Sequence, residues 1–276
     1  MRLMLAAAMA LLLIRPEASM TAVRDSCRLF VTAVMPGLLP YMVFSSMLLS
    51  RVRGRSAALL TLLGWCGGSP GGARLLALAP GMTAREQAFV SVATATMSPM
   101  FLVGTCGGWL GSAQAGAVLL ISVLAGGAIA GALAAAGCKR AGKAASVGPM
   151  HMMPLSLGAA VEQTARTLLM VCGMMAMARL FAALAAEALP AVALPLTTLL
   201  EVTAGVRAIA DLPLPLAWRT ALTAAATGSG GLAILLQNRA AAGKQAPPLR
   251  LQLGWQAVHG TISGLLALGL MLLWGG

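Results

Sequence analysis

The sequence predicts an all-α polytopic transmembrane bundle with broken helices, and three observations carry that reading. Hydrophobic residues make up 59% of the chain and charged residues only 9%, where an ordinary soluble domain carries roughly 25% charged residues. The mean hydropathy is +0.88. The charges are sorted into short clusters between long uncharged stretches, at 29–50, 56–73, 87–138, 220–238 and 260–276. In hydrocarbon every backbone N–H and C=O must be satisfied by the chain itself, which leaves helices and closed barrels. The ten-residue alternation of a membrane barrel is absent.

Taken in order, Arg2 precedes an apolar run over 3–14 that Arg15-Pro16 ends. As a helix this run rises about 18 Å, short of the roughly 30 Å hydrocarbon core. It resembles a signal-peptide core, yet no small-residue cleavage site follows, so a short membrane helix or anchor over 1–21 is expected. The stretch 29–50 contains Met35-Pro36-Gly37-Leu38-Leu39-Pro40, with Arg24 and Arg28 before it and Arg51, Arg53 and Arg55 after. Two prolines around a glycine interrupt a straight helix. Like charge at both ends suits a re-entrant hairpin, and a kinked single span fits equally; a non-helical break at 36–40 is expected. The next interruption is Gly67-Gly68-Ser69-Pro70-Gly71-Gly72-Ala73-Arg74. Such a run cannot form a regular helix, and irregular backbone at membrane depth survives only where protein or a wet cavity covers it. The stretch 87–138 is long enough for two spans. Its clearest part is 112–137, where Gly116, Gly126, Gly127 and Gly131 suit close helix packing in lipid. The stretches 220–238 and 260–276 complete the set. Loops are marked by Arg51, Arg53 and Arg55, by Lys139, Arg140 and Lys143, and by Arg239, Lys244 and Arg250, each favouring the cytoplasmic side.

A two-fold internal repeat is expected, with repeats over 22–145 and 146–276. Gly72-Ala73-Arg74 matches Gly205-Val206-Arg207, Ser98-Pro99-Met100-Phe101-Leu102 matches the segment from Ser229, and Pro36-Gly37 matches Cys172-Gly173. The spacings are 133, 131 and 136 positions. Paired, Gly/Pro-interrupted apolar segments in two halves point to a transporter binding site.

The formal net charge is +12, from 19 Lys and Arg against 7 Asp and Glu. In a soluble domain this suggests nucleic acid. Here the basic footprint is cut up by apolar spans, with one Tyr and no aromatic–basic interleaving, so nucleic acid is excluded and lipid headgroups are the natural partners. Neither a metal nor another cofactor is expected. The five cysteines Cys27, Cys66, Cys106, Cys138 and Cys172 form no CxxC, His151 and His259 lie far apart, and the thiols read as small buried hydrophobes. With no nucleophile–base pair, HExxH, P-loop or dinucleotide fingerprint, an enzyme is not expected.

A charge at membrane depth costs on the order of 2.5–3.5 kcal/mol, so such residues are functional candidates. Arg74 follows the glycine-rich break, Arg207 lies six residues after Glu201, and Glu162 and Arg166 can pair at i, i+4. An arginine fork suits carboxylate or phosphate, and a broken helix adds its positive N-terminus. Headgroup snorkelling is the plain alternative for both arginines. Glu201 suits a proton site or a structural ion pair.

The motif order resembles the sporulation integral membrane proteins of the YlbJ type, which carry two nucleoside-recognition, or Gate, domains related to concentrative nucleoside transporters. The resemblance spans roughly 22–275. The family's S-G-Y-P-x-G-A-K looks like Gly67 to Arg74, and its N-x-x-N-P-x-F-x-x-G looks like Ala95 to Gly104. Its E-x-x-x-G looks like Glu201 and Gly205, and its G-G-x-x-x-x-x-Q looks like Gly230-Gly231 with Gln237. The family Tyr is Ser69 here, and two Asn positions are Ala95 and Ser98, which leaves the substrate open. The resemblance implies a multi-pass protein of the cell membrane, in a spore former the membrane around the developing spore. It also implies transport of a small anionic metabolite, dipicolinate-like or nucleoside-like. The expected substrate-binding residues are Arg74, Arg207, Glu201, Gln237, Ser98, Ser229, Gly68 and Gly72, and the first four are expected to converge on one cavity because each sits at or beside a break. Partners are the bilayer and the solute, and a homo-oligomer is compatible. A non-transporting sporulation scaffold is the alternative function.

Overall fold

The computed structural model describes residues 9, 12–52, 56–78, 81–138, 154–243 and 246–274. Most of the N-terminal run 3–14 lies outside them, as do Arg53, Arg55, Lys139, Arg140, Lys143, His151 and Lys244. The described residues are helices and connections, with no strand. They form α1 (Pro16–Arg51), α2 (Ala57–Gly67), α3 (Gly71–Ala77), α4 (Ala84–Ala93), α5 (Phe101–Leu110), α6 (Ala113–Gly137), α7 (Leu157–Ala188), α8 (Ala193–Leu200), α9 (Val202–Ala210), α10 (Leu216–Ser229), α11 (Gly231–Ala242) and α12 (Leu249–Trp274). Among them α1, α6, α7 and α12 are long and apolar enough to cross a membrane. Side chains such as Leu62, Leu169, Leu265, Leu272 and Leu273 are exposed on the outside of the bundle, a surface that suits lipid and not water.

Several elements depart from the expectations. The segment 36–40 is helix, not a break: α1 runs from Pro16 through Arg51. The reason is a wide turn over Phe30–Val34, closed by the Met35 N–H donating to the Phe30 carbonyl. A turn widened by one residue makes room for the Pro36 ring and absorbs its missing donor. The kinked single span therefore holds and the hairpin at this position does not, and the 21/22 boundary lies within α1. The stretch 220–238 is not one span. It divides at Gly230, left-handed at φ 72°, into α10 and α11. The stretch 87–138 supplies one full span, α6, preceded by the shorter α4 and α5. Helix α7 does not stand out as an uncharged stretch because Glu162, Arg166 and Arg179 punctuate it.

Local signals set the other boundaries. Ser56, Ser112 and Ser156 cap α2, α6 and α7 through their side chains. Thr83 and Glu86 form a reciprocal capping box at the start of α4. Small residues let α4, α6, α10 and α12 pack backbone to backbone. A Cβ on Gly260 would lie 2.7 Å from the Ala225 carbonyl, and one on Gly131 2.9 Å from the Phe89 carbonyl. Helix association in lipid is built from such close approaches, because the lipid tails are as apolar as the side chains. A separate cluster of Phe30, Leu38 and Met42 with Leu168, Val171 and Met175 joins α1 to α7.

Candidate functional site

Four interruptions between consecutive helices frame the site. The first lies between α2 and α3, at Gly68-Ser69-Pro70; Gly71 and Gly72 already belong to α3. Gly68 sits at φ 62°, ψ −172°, a conformation that is essentially glycine-only. A Cβ there would lie 2.5 Å from the Ser98 amide nitrogen. Gly72 likewise faces Thr94, whose carbonyl would be 3.2 Å from a Cβ. Both glycines thus bring the first interruption against the second, the stretch between α4 and α5. The Ser69 amide donates to the Thr96 carbonyl at 2.7 Å, and Ser98 Oγ accepts from the Phe101 amide at 3.3 Å.

The third interruption is Glu201 itself, between α8 and α9. Its carboxylate caps α9: Oε1 accepts from the Thr203 amide at 3.0 Å and Oε2 from the Ala204 amide at 2.7 Å. Glu201 is only 2% exposed, so these bonds replace hydration for the carboxylate and supply partners for N–H groups the helix cannot pair. The fourth interruption, Gly230-Gly231, abuts the end of α8: a Cβ on Gly231 would lie 2.9 Å from the Leu199 carbonyl. Past it, α11 presents Gln237 and Asn238. The Asn238 amide nitrogen donates to Ser69 Oγ at 3.3 Å, joining the second half of the chain to the first interruption.

The first three interruptions and α11 surround a cavity of about 20 Å³ whose walls include Ser69, Ser98, Phe101, Glu201 and Gln237. Room for about one water is all this provides. Gln237 Nε2, Asn238 Oδ1 and Thr96 Oγ1 are buried there or beside it without a hydrogen-bond partner among the described residues. Glu201 also borders a second, open chamber of about 640 Å³ between α1, α7, α8 and α9. Three arginines from three helices reach it, Arg28, Arg179 and Arg207, together with Asp25 and Asp211. Arg207 pairs with Asp211 at 3.4 Å, one turn on, and its guanidinium stands 5.7 Å over the Trp109 ring. Glu201 is therefore the residue common to a charged outer chamber and the closed meeting point of the interruptions.

The expected convergence of Arg74, Arg207, Glu201 and Gln237 is met only in part. Glu201, Gln237 and Ser98 share the central cavity, and Arg207 lies in the outer chamber. Arg74 does not join them. Its guanidinium donates to Gln163 Oε1 at 2.8 Å and Thr164 Oγ1 at 3.4 Å, tying α3 to α7. A paired Arg74–Arg207 clamp is thus not formed, because those two polar groups on α7 already satisfy Arg74. Ser229 donates to the Ala226 carbonyl at 2.9 Å and packs at the α10–α12 crossing, away from both cavities. Gly68 and Gly72 serve backbone approach. Arg28 and Arg179 were missed; Arg179 is the lone charge between Arg166 and Glu187, and the rule that singled out Arg74 applies to it equally.

A third cavity, of about 350 Å³, lies between α4, α6, α11 and α12. Gln87, Gln252, Gln256, Trp255 and Asn238 line it, and no charged side chain does among the described residues. No protein-family model matches the chain, and no curated protein or solved structure is similar to it.

Proposed function

We propose that the protein is a membrane transporter or permease for a small anionic metabolite, with Arg28, Arg179 and Arg207 receiving the anion and Glu201 standing at the gate to the central cavity. One observation carries this reading: a buried carboxylate forms the shared wall between an arginine-bearing chamber of solute size and the point where three helix interruptions from both halves of the chain, at Ser69, Ser98 and Glu201, meet. Chambers of 300–1,000 Å³ are typical of small-molecule sites, and helices broken beside a cavity are how transporters present backbone groups to a solute. The element order supports a repeat, α1–α6 against α7–α12. Arg74 and Arg207 each lie six positions past the residue that ends the preceding short helix, Gly68 and Glu201. The motif resemblance to YlbJ-type proteins supports a dipicolinate-like dicarboxylate and a role in spore formation. The uncharged third cavity favours a second reading, a neutral nucleoside-like solute.

Uptake by the purified protein in liposomes decides between these readings. Dipicolinate is expected to enter at least tenfold faster than into empty liposomes, and to be inhibited by other small dicarboxylates. Uptake of nucleosides alone would move the site to the third cavity. Uptake of neither would favour the scaffold.

A further inference from the structure

The sequence reads the five cysteines as small buried thiols; in the structure Cys106 is buried, Cys27, Cys138 and Cys172 are partly exposed and Cys66 is exposed, and two of the five meet. Cys27 on α1 and Cys172 on α7 place their sulfurs 4.0 Å apart, although 145 positions separate them in the chain. Both are free and only partly buried. We propose that Cys27 and Cys172 are a redox-active thiol pair that closes to a disulfide and ties α1 to α7 beside the arginine chamber.

The geometry requires little movement. A disulfide bond is about 2.05 Å long, so each sulfur has to travel about 1 Å, which side-chain rotation supplies while the helices stay in place. The two helices are already held face to face by Phe30, Leu38 and Met42 against Leu168, Val171 and Met175. Both thiols keep some exposure, and Ser26 and Arg28, next to Cys27 in the chain, line the chamber. Cys106, by contrast, is sealed in the core.

A small disulfide such as oxidised glutathione is the oxidant. The Cys27 thiolate attacks one of its sulfurs, forming a mixed disulfide and releasing one reduced glutathione. The Cys172 thiolate then attacks the Cys27 sulfur, forming the Cys27–Cys172 bond and releasing the second. Two protein thiols are oxidised and one glutathione disulfide is reduced to two thiols, by ordinary thiol–disulfide exchange. The consequence rests on the transport reading. Helix α1 gives the chamber Asp25, Arg28 and Thr32, and α7 gives it Arg179, so the bond fixes two of its walls to each other.

The test treats wild-type protein in its membrane with oxidised glutathione, blocks remaining thiols by alkylation, and maps the digested peptides by mass spectrometry. The expected result is a linked Cys27–Cys172 peptide pair within one chain, removed by dithiothreitol and absent from Cys27→Ser and Cys172→Ser. Recovery of both cysteines alkylated or singly glutathionylated after oxidation, or linkage only between chains, overturns the pair. In liposomes the oxidised protein is expected to lose at least tenfold in anion uptake, restored by dithiothreitol, while Cys27→Ser ignores the oxidant. A linked protein with unchanged uptake overturns the clamping role. No uptake by the reduced protein counts against the transport reading, and the peptide map still decides the bond.

Discussion

Replacing Glu201 by alanine is expected to be the most damaging single change at the site, lowering both stability and uptake. The substitution strips the acceptors from the Thr203 and Ala204 amides in a place that is nearly closed to solvent. Each orphaned buried donor costs about 1–3 kcal/mol, so the loss is about 2–6 kcal/mol for the pair. Uptake per folded molecule is expected to fall at least a hundredfold as the start of α9 frays. Glu201→Asp keeps a capping carboxylate, since aspartate is among the preferred residues at a helix start, and is expected to retain the fold. Glu201→Gln keeps one acceptor oxygen and is expected to fall between the two. Thermal unfolding in detergent, run beside the uptake assay, separates the roles. Wild-type stability in Glu201→Ala would rule out the capping role, and a loss of uptake with full stability in Glu201→Gln would instead mark a proton carrier.

The second large effect is expected at Gly68. An alanine there meets two obstacles together. The backbone at φ 62°, ψ −172° costs a non-glycine residue on the order of 1–3 kcal/mol. The added Cβ would also lie 2.5 Å from the Ser98 nitrogen and 2.9 Å from its Cα. Neither is the flexible end of a side chain, so the hairpin has to shift, at about 1–3 kcal/mol for overpacking. Against a typical net stability of about 5–15 kcal/mol, a combined loss of about 2–6 kcal/mol is expected to lower the melting temperature and the folded yield markedly, and the shifted hairpin to lower uptake at least tenfold. Gly67→Ala is the matched control, because nothing lies within 4 Å of its Cβ position. Equal expression and melting of the two variants would refute the packing of the first two interruptions.

What the sequence made legible follows from what apolar patterning and helix breakers report. Composition identifies the helical bundle, and the glycine-rich run identifies the first interruption because no regular helix accommodates it. The runs now seen as α6 and α12 stand out through the absence of charge. Patterning fails where tertiary context decides. Pro36 and Pro40 read as a break, yet the wide turn at Phe30–Val34 carries the helix through them. Gly230-Gly231 sits within a stretch uniform enough to pass for one span, and only the left-handed backbone of Gly230 and Gly231 reveals the division. At the site, Glu201 and Gln237 stand out as lone polar residues in apolar surroundings and do meet. The arginines cannot be placed in the same way. Arg74 and Arg207 each lie six positions past an interruption residue, Gly68 and Glu201, but the partners each finds, Gln163 and Thr164 for one and Asp211 with Trp109 for the other, depend on which helix packs alongside.

The location of the anion site is tested most directly by uptake of dipicolinate into liposomes bearing Arg207→Ala or Arg74→Ala, each normalised to folded protein. Arg207 faces the chamber beside Glu201, whereas Arg74 joins α3 to α7. Arg207→Ala is expected to lower uptake at low substrate concentration at least tenfold, with Arg207→Lys recovering only part because a point charge does not replace the two-pronged fork. Arg74→Ala is expected to keep uptake within about threefold of wild type while losing about 1 kcal/mol of stability, the usual worth of such hydrogen bonds. Full uptake by Arg207→Ala, together with its abolition in well-folded Arg74→Ala, would contradict the account and move the anion site to the other side of the bundle.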